Sequence, residues 1–116
     1  MAHSMKRTPI DAVFSDLVRM RVDWRCERCG LIMVDRRQAF HCSHFIGRAT
    51  YALRWHPLNA AGLCAGCHFY VGGNPLEHYE WFASTRGALA VEDLRRWARV
   101  APRFRKNDKA DILKFY

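Results

Sequence analysis

The sequence predicts a small α+β fold in which helices flank a few short strands and a bound metal ion. Three observations predict it: apolar residues recur at helical spacing near both ends, two short β-rich segments lie between them, and cysteines form two C-x-x-C pairs. Because 116 residues is the length of one domain, we predict a single domain over residues 1–116.

The first predicted element is an amphipathic helix over residues 8–23. Thr8 is a good capping residue, Pro9 occupies the first helical position, and Asp11 places an acid in the first turn. Apolar residues then follow at helical spacing, so one face of this helix is expected to pack against the rest of the domain.

The central segment, residues 24–73, is predicted to hold the short strands and the cysteines. Residues 31–34 and 38–45 are typical of two strands joined by a turn, and they form the predicted sheet. We expect the following segment, residues 48–59, to be irregular, because it contains a proline that pushes the preceding residue into an extended conformation.

The C-terminal part, residues 74–116, is predicted to be a helical extension that ends in a basic tail. Pro75 is a helix start and Gly87 a helix stop, so a helix is predicted over residues 75–86, followed by a second over residues 91–100. The residues of the first of these helices that we expect to face inward are Leu76, Tyr79 and Phe82.

The charge of the chain indicates its class of partner. Lys and Arg number 19 against 11 Asp and Glu, which gives a formal net charge of +8 and a pI near 9.7. Most of these cations are Arg, the side chain suited to bidentate contacts with phosphate, so nucleic acid is the expected partner; a general role in solubility is the alternative. A hydrophobic fraction of 50% excludes a disordered chain. With no membrane-spanning run and no signal peptide, we expect a soluble cytoplasmic protein.

Four of the five cysteines fit a structural zinc site. Cys26 and Cys29 form the first C-x-x-C pair and Cys64 and Cys67 the second, and two such pairs can close a tetrahedral shell around one zinc ion. A shell of four thiolates leaves no open position, so the expected role of the zinc is structural. Four ordinary buried cysteines, or a redox pair, are the alternative.

The remaining cysteine and the large aromatic residues are expected to fill the small core. Cys42 lies in a predicted strand and is predicted to pack inward as a small apolar residue. The aromatic residues assigned to the core, and not to stacking on nucleic acid, are Trp24, Trp55, Tyr70, Trp81 and Trp97.

Three polar residues lie beside and between the cysteines in a characteristic order. His44 lies at a strand end, Asn59 follows fifteen residues later, and His68 comes directly after the second cysteine pair. This order resembles the HNH (His-Me finger) endonucleases, and more narrowly the NinG/Rap recombination nucleases of lambdoid phages, over roughly residues 24–87. The other segments that match this family are Cys26-x-x-Cys29-Gly30, His44-Phe45, Leu53-Arg54-Trp55, Gly73-Asn74 and Tyr79.

The resemblance implies a ββα-metal (HNH) core and a metal-dependent hydrolysis of phosphodiester bonds in DNA. It implies that His44 is the general base that activates water, that His68 binds the catalytic divalent ion, and that Asn59 braces the loop that orients His44. Such hydrolysis needs both a base and a cation that stabilises the charge on the leaving group.

One position departs from the usual HNH pattern. Ser43 occupies the place of the acidic metal ligand before the base histidine, and His41 stands where NinG-like sequences carry an Asp. Because side chains alternate along a strand, His41 and Ser43 share one face and His44 the other, so His41 is our candidate for the second metal ligand. The expected ion is Mg or Mn, with Ni or Zn as alternatives because two imidazoles suit them better.

The arginines near the proposed site are expected to clamp the DNA backbone, by charge and shape and not by base reading. They are Arg36, Arg37, Arg48 and Arg54. The resemblance points to branched or recombination-intermediate DNA such as four-way junctions, in a bacterial cell and with a phage origin, and symmetric cleavage would need a homodimer. The alternative function is a non-catalytic zinc-finger module that binds nucleic acid through a degenerate HNH site.

Overall fold

The computed structural model describes residues 7–100. Over this range the chain combines helices with a two-stranded antiparallel sheet, which confirms the predicted α+β class. The elements in chain order are α1 (Pro9–Arg21), β1 (Phe40–His44), α2 (Tyr51–Arg54), β2 (Ala60–Cys64), α3 (Ala65–Gly72), α4 (Pro75–Arg86) and α5 (Ala88–Val100).

The start of α1 follows the predicted capping pattern. The Thr8 side chain accepts a hydrogen bond from the backbone N–H of Asp11, and the Asp11 carboxylate accepts one from the backbone N–H of Thr8. This reciprocal capping box satisfies two backbone donors that the first turn cannot pair internally. The buried face of α1 includes Phe14 and Val18, which pack with Trp55.

The sheet differs from the prediction in one of its two strands. The strand predicted over residues 31–34 is wrong, since only Ile32 there forms an isolated bridge, with Arg25. β1 instead pairs with β2, in a register that runs from Phe40 opposite Cys64 to His44 opposite Ala60. β2 is buried along its whole length, so it lacks the alternation that identifies a half-exposed strand.

The segment that joins the two strands is more regular than predicted. Residues 48–59, expected to be irregular, contain the short helix α2 and a 3₁₀ turn over Pro57–Asn59. Trp55 of this segment is buried against Phe14 and Val18 of α1, and Leu53 is fully buried as well. Apolar burial therefore decides the conformation of a segment that has weak local preferences.

The C-terminal helices lie close to their predicted positions, but only some of their residues face the core as predicted. α4 has the predicted bounds, and α5 begins three residues earlier than predicted. Phe82 is buried as expected, but Leu76 is 69% exposed, so its predicted inward orientation is wrong. The basic tail beyond residue 100 lies outside the described residues.

The aromatic residues divide between the core and the surface. Trp55 is fully buried, and Trp24 and Trp81 pack against the main core cluster, as predicted. Tyr70 and Trp97 are largely exposed, so their assignment to the core is wrong. Within residues 7–100, no helix has the length and apolarity needed to cross a lipid bilayer.

Candidate metal centre and histidine pocket

The two cysteine pairs converge on one point. The Sγ atoms of Cys26, Cys29, Cys64 and Cys67 all lie within 4.8 Å of one another, and those of Cys29 and Cys64 are 3.7 Å apart. Tetrahedral Zn²⁺ with Zn–S bonds of about 2.3 Å places its sulfurs about 3.8 Å apart. The four cysteines therefore fit one structural metal ion such as zinc.

Local backbone geometry presents these thiols to a common centre. The backbone N–H of Cys29 donates to Sγ of Cys26, and that of Cys67 donates to Sγ of Cys64, each at 3.5 Å. Gly30 follows the first pair with φ of +83°, in the left-handed region that a side chain disfavours. Nη1 of Arg28 lies 3.3 Å from Sγ of Cys67, where a cation offsets thiolate charge.

The four-cysteine cluster lies at the start of α3. Cys64 is the last residue of β2 and the N-cap of α3, and Cys67 lies in the first turn of that helix. A metal bound to both pairs would hold the first turn of α3 against the turn at Cys26. His68 is the next residue of α3, so a metal bound there would also fix where this histidine lies.

A pocket of about 370 Å³ lies along the open edge of β1, between α1 and α3. Within the described residues β1 pairs with β2 on one side only, which leaves the other edge accessible. The residues on its walls that bear on function are His41, His44, His68, Arg19, Arg37 and Arg48. The three predicted site histidines and two of the predicted arginines are thus brought together.

A backbone carbonyl oxygen selects one tautomer of the neutral His44 ring at the end of β1. Its Nε2 lies 2.8 Å from the backbone carbonyl oxygen of Arg54. A carbonyl oxygen only accepts, so Nε2 carries the proton of the neutral ring and Nδ1 keeps its lone pair. Burial lowers the pKa of His44 below its usual value, which favours this neutral ring at pH 7.

Arg54 is a structural residue of this site. Its guanidinium group donates from Nε to Oδ1 of Asp11 at 2.8 Å, and its Nη2 also binds the Asp11 carboxylate. Its side chain is 1% exposed, so the prediction that Arg54 contacts DNA does not fit the fold. The sequence does not predict this pair, because the position of Asp11 close to Thr8 and Pro9 indicates only a helix cap.

The Asp11 carboxylate accepts several hydrogen bonds in a buried place. Burial by itself raises the pKa of this carboxyl group, but hydrogen bonds from Arg54, Thr8 and Trp55 outweigh burial and hold the pKa far below its usual range. Nε1 of Trp55 contributes one of these bonds, at 3.0 Å to Oδ1. Asp11 lines the pocket, but with its oxygens engaged it is poorly placed to bind a metal ion there.

Asn59 connects the two ends of the segment between the strands. It is fully buried, its Oδ1 accepts from the backbone N–H of Ile46 at 2.8 Å, and its Nδ2 donates to the carbonyl oxygens of Ile46 and Leu53. These hydrogen bonds join two segments: the residues directly after His44, and the helix α2, which ends at Arg54. Asn59 thus braces the loop around His44.

His41 and His68 are neighbours on the wall of the pocket nearest α3. Their ring centroids are 4.9 Å apart, edge to face, whereas His44 packs against Phe14 of α1. Nδ1 of His68 is buried and has no hydrogen-bond partner among the described residues. Two adjacent imidazoles, one with an unsatisfied nitrogen, fit the donor set of a divalent transition-metal ion.

The residue in the position of the usual acid is not available for this role. Ser43 is 2% exposed and does not line the pocket, so His41 is the residue of β1 that can pair with His68. Cys42 packs beside α1 as predicted, and burial raises its thiol pKa to about 11. Cys42 is not part of the four-cysteine group.

The predicted DNA-contacting arginines lie in different places. Arg37 and Arg48 line the histidine pocket, while Arg36 lies in an adjoining hollow over residues 34–39. Arg7 and Arg19 also line the pocket, and sequence reasoning missed both because they lie far from the histidines in sequence. The pocket is therefore bordered by arginines from α1, from the segment before α1 and from the segments on either side of β1.

In sequence and in fold, the chain matches no family model, no curated protein and no solved structure with which it was compared. The functional interpretation therefore rests on the chemistry of the residues described above.

Proposed function

We propose that the protein is a metal-dependent DNA endonuclease with His44 as the general base. The observation that carries the proposal is the hydrogen bond from His44 Nε2 to the Arg54 carbonyl oxygen, inside a pocket that also holds His41 and His68. This bond leaves Nδ1 of a neutral ring to accept a proton from water. A base with its lone pair defined in this way suits hydrolysis near neutral pH.

His41 and His68 are the residues that would hold the catalytic divalent ion. Such an ion supplies a Lewis acid that stabilises negative charge on a phosphate and on its leaving oxygen. Because neither donor is a carboxylate, we propose Mn, Ni or Zn ahead of Mg. Asn59 and the Arg54 carbonyl hold the His44 ring on the α1 side of the same pocket, where it packs against Phe14.

The order of elements supports an HNH assignment. β1 ends at His44, β2 ends at Cys64, and α3 carries His68, so strand, strand and helix follow one another as in a ββα-metal core. A four-cysteine metal centre at the β2–α3 junction would stabilise this small unit. We propose that the chain is an HNH nuclease similar to the NinG/Rap family.

The charge around the pocket supports DNA as the substrate. Arg7, Arg19, Arg37 and Arg48 all line it, and they can contact phosphates on either side of a bound strand. The proposed substrate is branched or recombination-intermediate DNA. A homodimer would supply the two sites that symmetric cleavage of a four-way junction requires.

The test is a cleavage assay across a metal series. Zinc-loaded protein is incubated with linear, nicked and four-way DNA and with added Mg, Mn, Co, Ni or Zn, and the products are resolved on denaturing gels. We expect metal-dependent nicking, stronger with Mn, Ni or Zn than with Mg. Absence of cleavage with every metal, by protein that still binds the DNA, would contradict the catalytic proposal.

The second candidate is a non-catalytic zinc module that binds nucleic acid. It is favoured by Ser43, which stands in place of an acidic ligand and is buried. The pocket distinguishes the two functions, because a module that only binds has no use for a neutral histidine beside two further imidazoles. Metal-dependent cleavage that His44→Ala abolishes excludes the binding module.

A further inference from the structure

An unusually exposed aromatic ring lies beside the histidine pocket. Phe69 is 73% exposed on the outer face of α3. The four residues that neighbour it on a helix, three or four positions away, are Ala65, Gly66, Gly72 and Gly73. None of them has a side chain large enough to cover the ring. The helix therefore presents one bare aromatic surface to its surroundings.

The ring adjoins the site and is flanked by positive charge. Its centroid lies 6.3 Å from that of His41 and 6.1 Å from that of His68. The next residue, Tyr70, is also exposed, and the guanidinium carbon of Arg28 lies 4.4 Å from the centroid of its ring. Phe69 thus directly follows a histidine that lines the pocket and directly precedes a tyrosine whose ring lies against an exposed cation.

We propose that Phe69 is a stacking platform for an unpaired nucleobase of DNA next to the histidine pocket. This inference rests on the proposed binding of DNA and adds that the preferred substrate exposes unpaired bases. Every base has a π-face that can stack on an aromatic ring, so such a platform selects unpaired bases without reading their sequence. Bases within a duplex are already stacked and gain nothing from it.

Size and charge favour a nucleobase over a second copy of the chain. An aromatic side chain buries only about 150–250 Å², whereas a stable dimer buries about 800 Å² from each partner. The small residues around Phe69 add little apolar area to that patch. The arginines that line the neighbouring pocket suit a polyanion better than another copy of a chain with net charge +8.

The test compares binding to three DNAs without added divalent ion, so that the DNA stays uncut. Zinc-loaded protein is titrated by fluorescence anisotropy against a duplex, the same duplex with a two-nucleotide bulge, and a single strand. We expect Phe69→Ala to weaken binding to the bulged and single-stranded DNA by about 5- to 100-fold. Binding to the plain duplex should change by less than about twofold.

Two control variants isolate the ring. Phe69→Trp keeps an aromatic surface and should retain binding to unpaired DNA. Leu89→Ala removes an exposed apolar side chain on α5, 83% exposed, and should leave all three affinities unchanged. The emission of a 2-aminopurine base in the bulge should change on binding the wild type and Phe69→Trp, because the base leaves its stacked neighbours, and should change much less on binding Phe69→Ala.

Two results would overturn the platform. One is an equal effect of Phe69→Ala on all three DNAs, including no effect on any of them. The other is a wild-type dimer, measured by light scattering, that Phe69→Ala converts to a monomer, since the ring would then be covered by a second copy.

This test is separable from the nuclease proposal. If binding depends on Phe69 but no metal supports cleavage, the stacking proposal is supported and the nuclease proposal is refuted. If the protein cleaves DNA but Phe69→Ala does not change its binding, the nuclease proposal is supported and the stacking proposal is refuted.

Discussion

His44 and Arg54 are joined by a hydrogen bond from the imidazole Nε2 to the backbone carbonyl oxygen, 2.8 Å long. The side chain of the same Arg54 is buried against Asp11 of α1. One residue thus fixes the proposed base through its backbone and anchors the loop to α1 through its guanidinium group. The orientation of His44 therefore depends on an ion pair that never touches the ring.

The first prediction concerns the stability of this ion pair. Asp11→Asn leaves the Arg54 guanidinium buried without its counter-charge, and breaking such a pair should cost about 3 kcal/mol of unfolding free energy. Urea denaturation of the zinc-loaded protein measures this loss. The double variant Asp11→Asn/Arg54→Met removes the unpaired charge and should therefore recover part of the lost unfolding free energy. A loss below about 1 kcal/mol in Asp11→Asn would contradict the assigned role.

The second prediction is the pH dependence of the same pair. The pKa of Asp11 is depressed in the folded protein, whereas an unfolded Asp titrates near 3.9. The pair therefore contributes its full stability above about pH 4 and loses it as the pH falls toward the depressed native pKa. The stability difference between wild type and Asp11→Asn should be constant from pH 5 to 7 and shrink below about pH 4. Comparing the two proteins cancels the acid-induced loss of zinc that both share.

The third prediction tests His44 as the base. His44→Ala should lower the cleavage rate by about 10²- to 10⁴-fold, because a general base contributes that much in the transition state. DNA affinity should stay within about twofold, since the base acts on water and not on the ground-state complex. Single-turnover cleavage and anisotropy binding measure the two effects separately. Parallel losses of rate and affinity would assign His44 to binding instead.

The fourth prediction is the acid limb of the cleavage rate. Only the neutral His44 can accept a proton, and burial lowers its pKa below the usual 6.5. The rate at saturating metal should therefore be flat near pH 7 and should fall as the pH drops below 6.5. A limb centred above pH 6.5 would be inconsistent with the buried neutral ring.

The fifth prediction concerns the metal centre. Wild-type protein should contain at least one tightly bound zinc per chain, and Cys64→Ser should lose this zinc together with the cooperative thermal transition. The free energy of structural zinc binding, about 10–16 kcal/mol, is as large as the whole stability of a small domain. Cys42→Ser is the matched control and should keep its zinc, since Cys42 lies outside the cluster. A Cys64→Ser protein that melts like the wild type would refute a structural site.

The sequence alone identified the parts of this protein that depend on short-range spacing. The cap formed by Thr8 and Asp11, the bounds of α4, and the two C-x-x-C pairs all follow from interactions between residues within about one helical turn. The order of His44, Asn59 and His68 along the chain, beside a predicted strand end and a cysteine pair, is what makes the two histidines site candidates from sequence.

Tertiary structure decided the features that join distant segments. Asp11 and Arg54 are 43 residues apart, so nothing local distinguishes a buried ion pair from a helix cap and a DNA-contacting arginine. The partner of β1 was likewise set by burial, since β2 is covered on both faces and shows no alternation. The packing of apolar surfaces against one another determines which charges are buried and which strands pair. Residue spacing along the chain does not specify that packing.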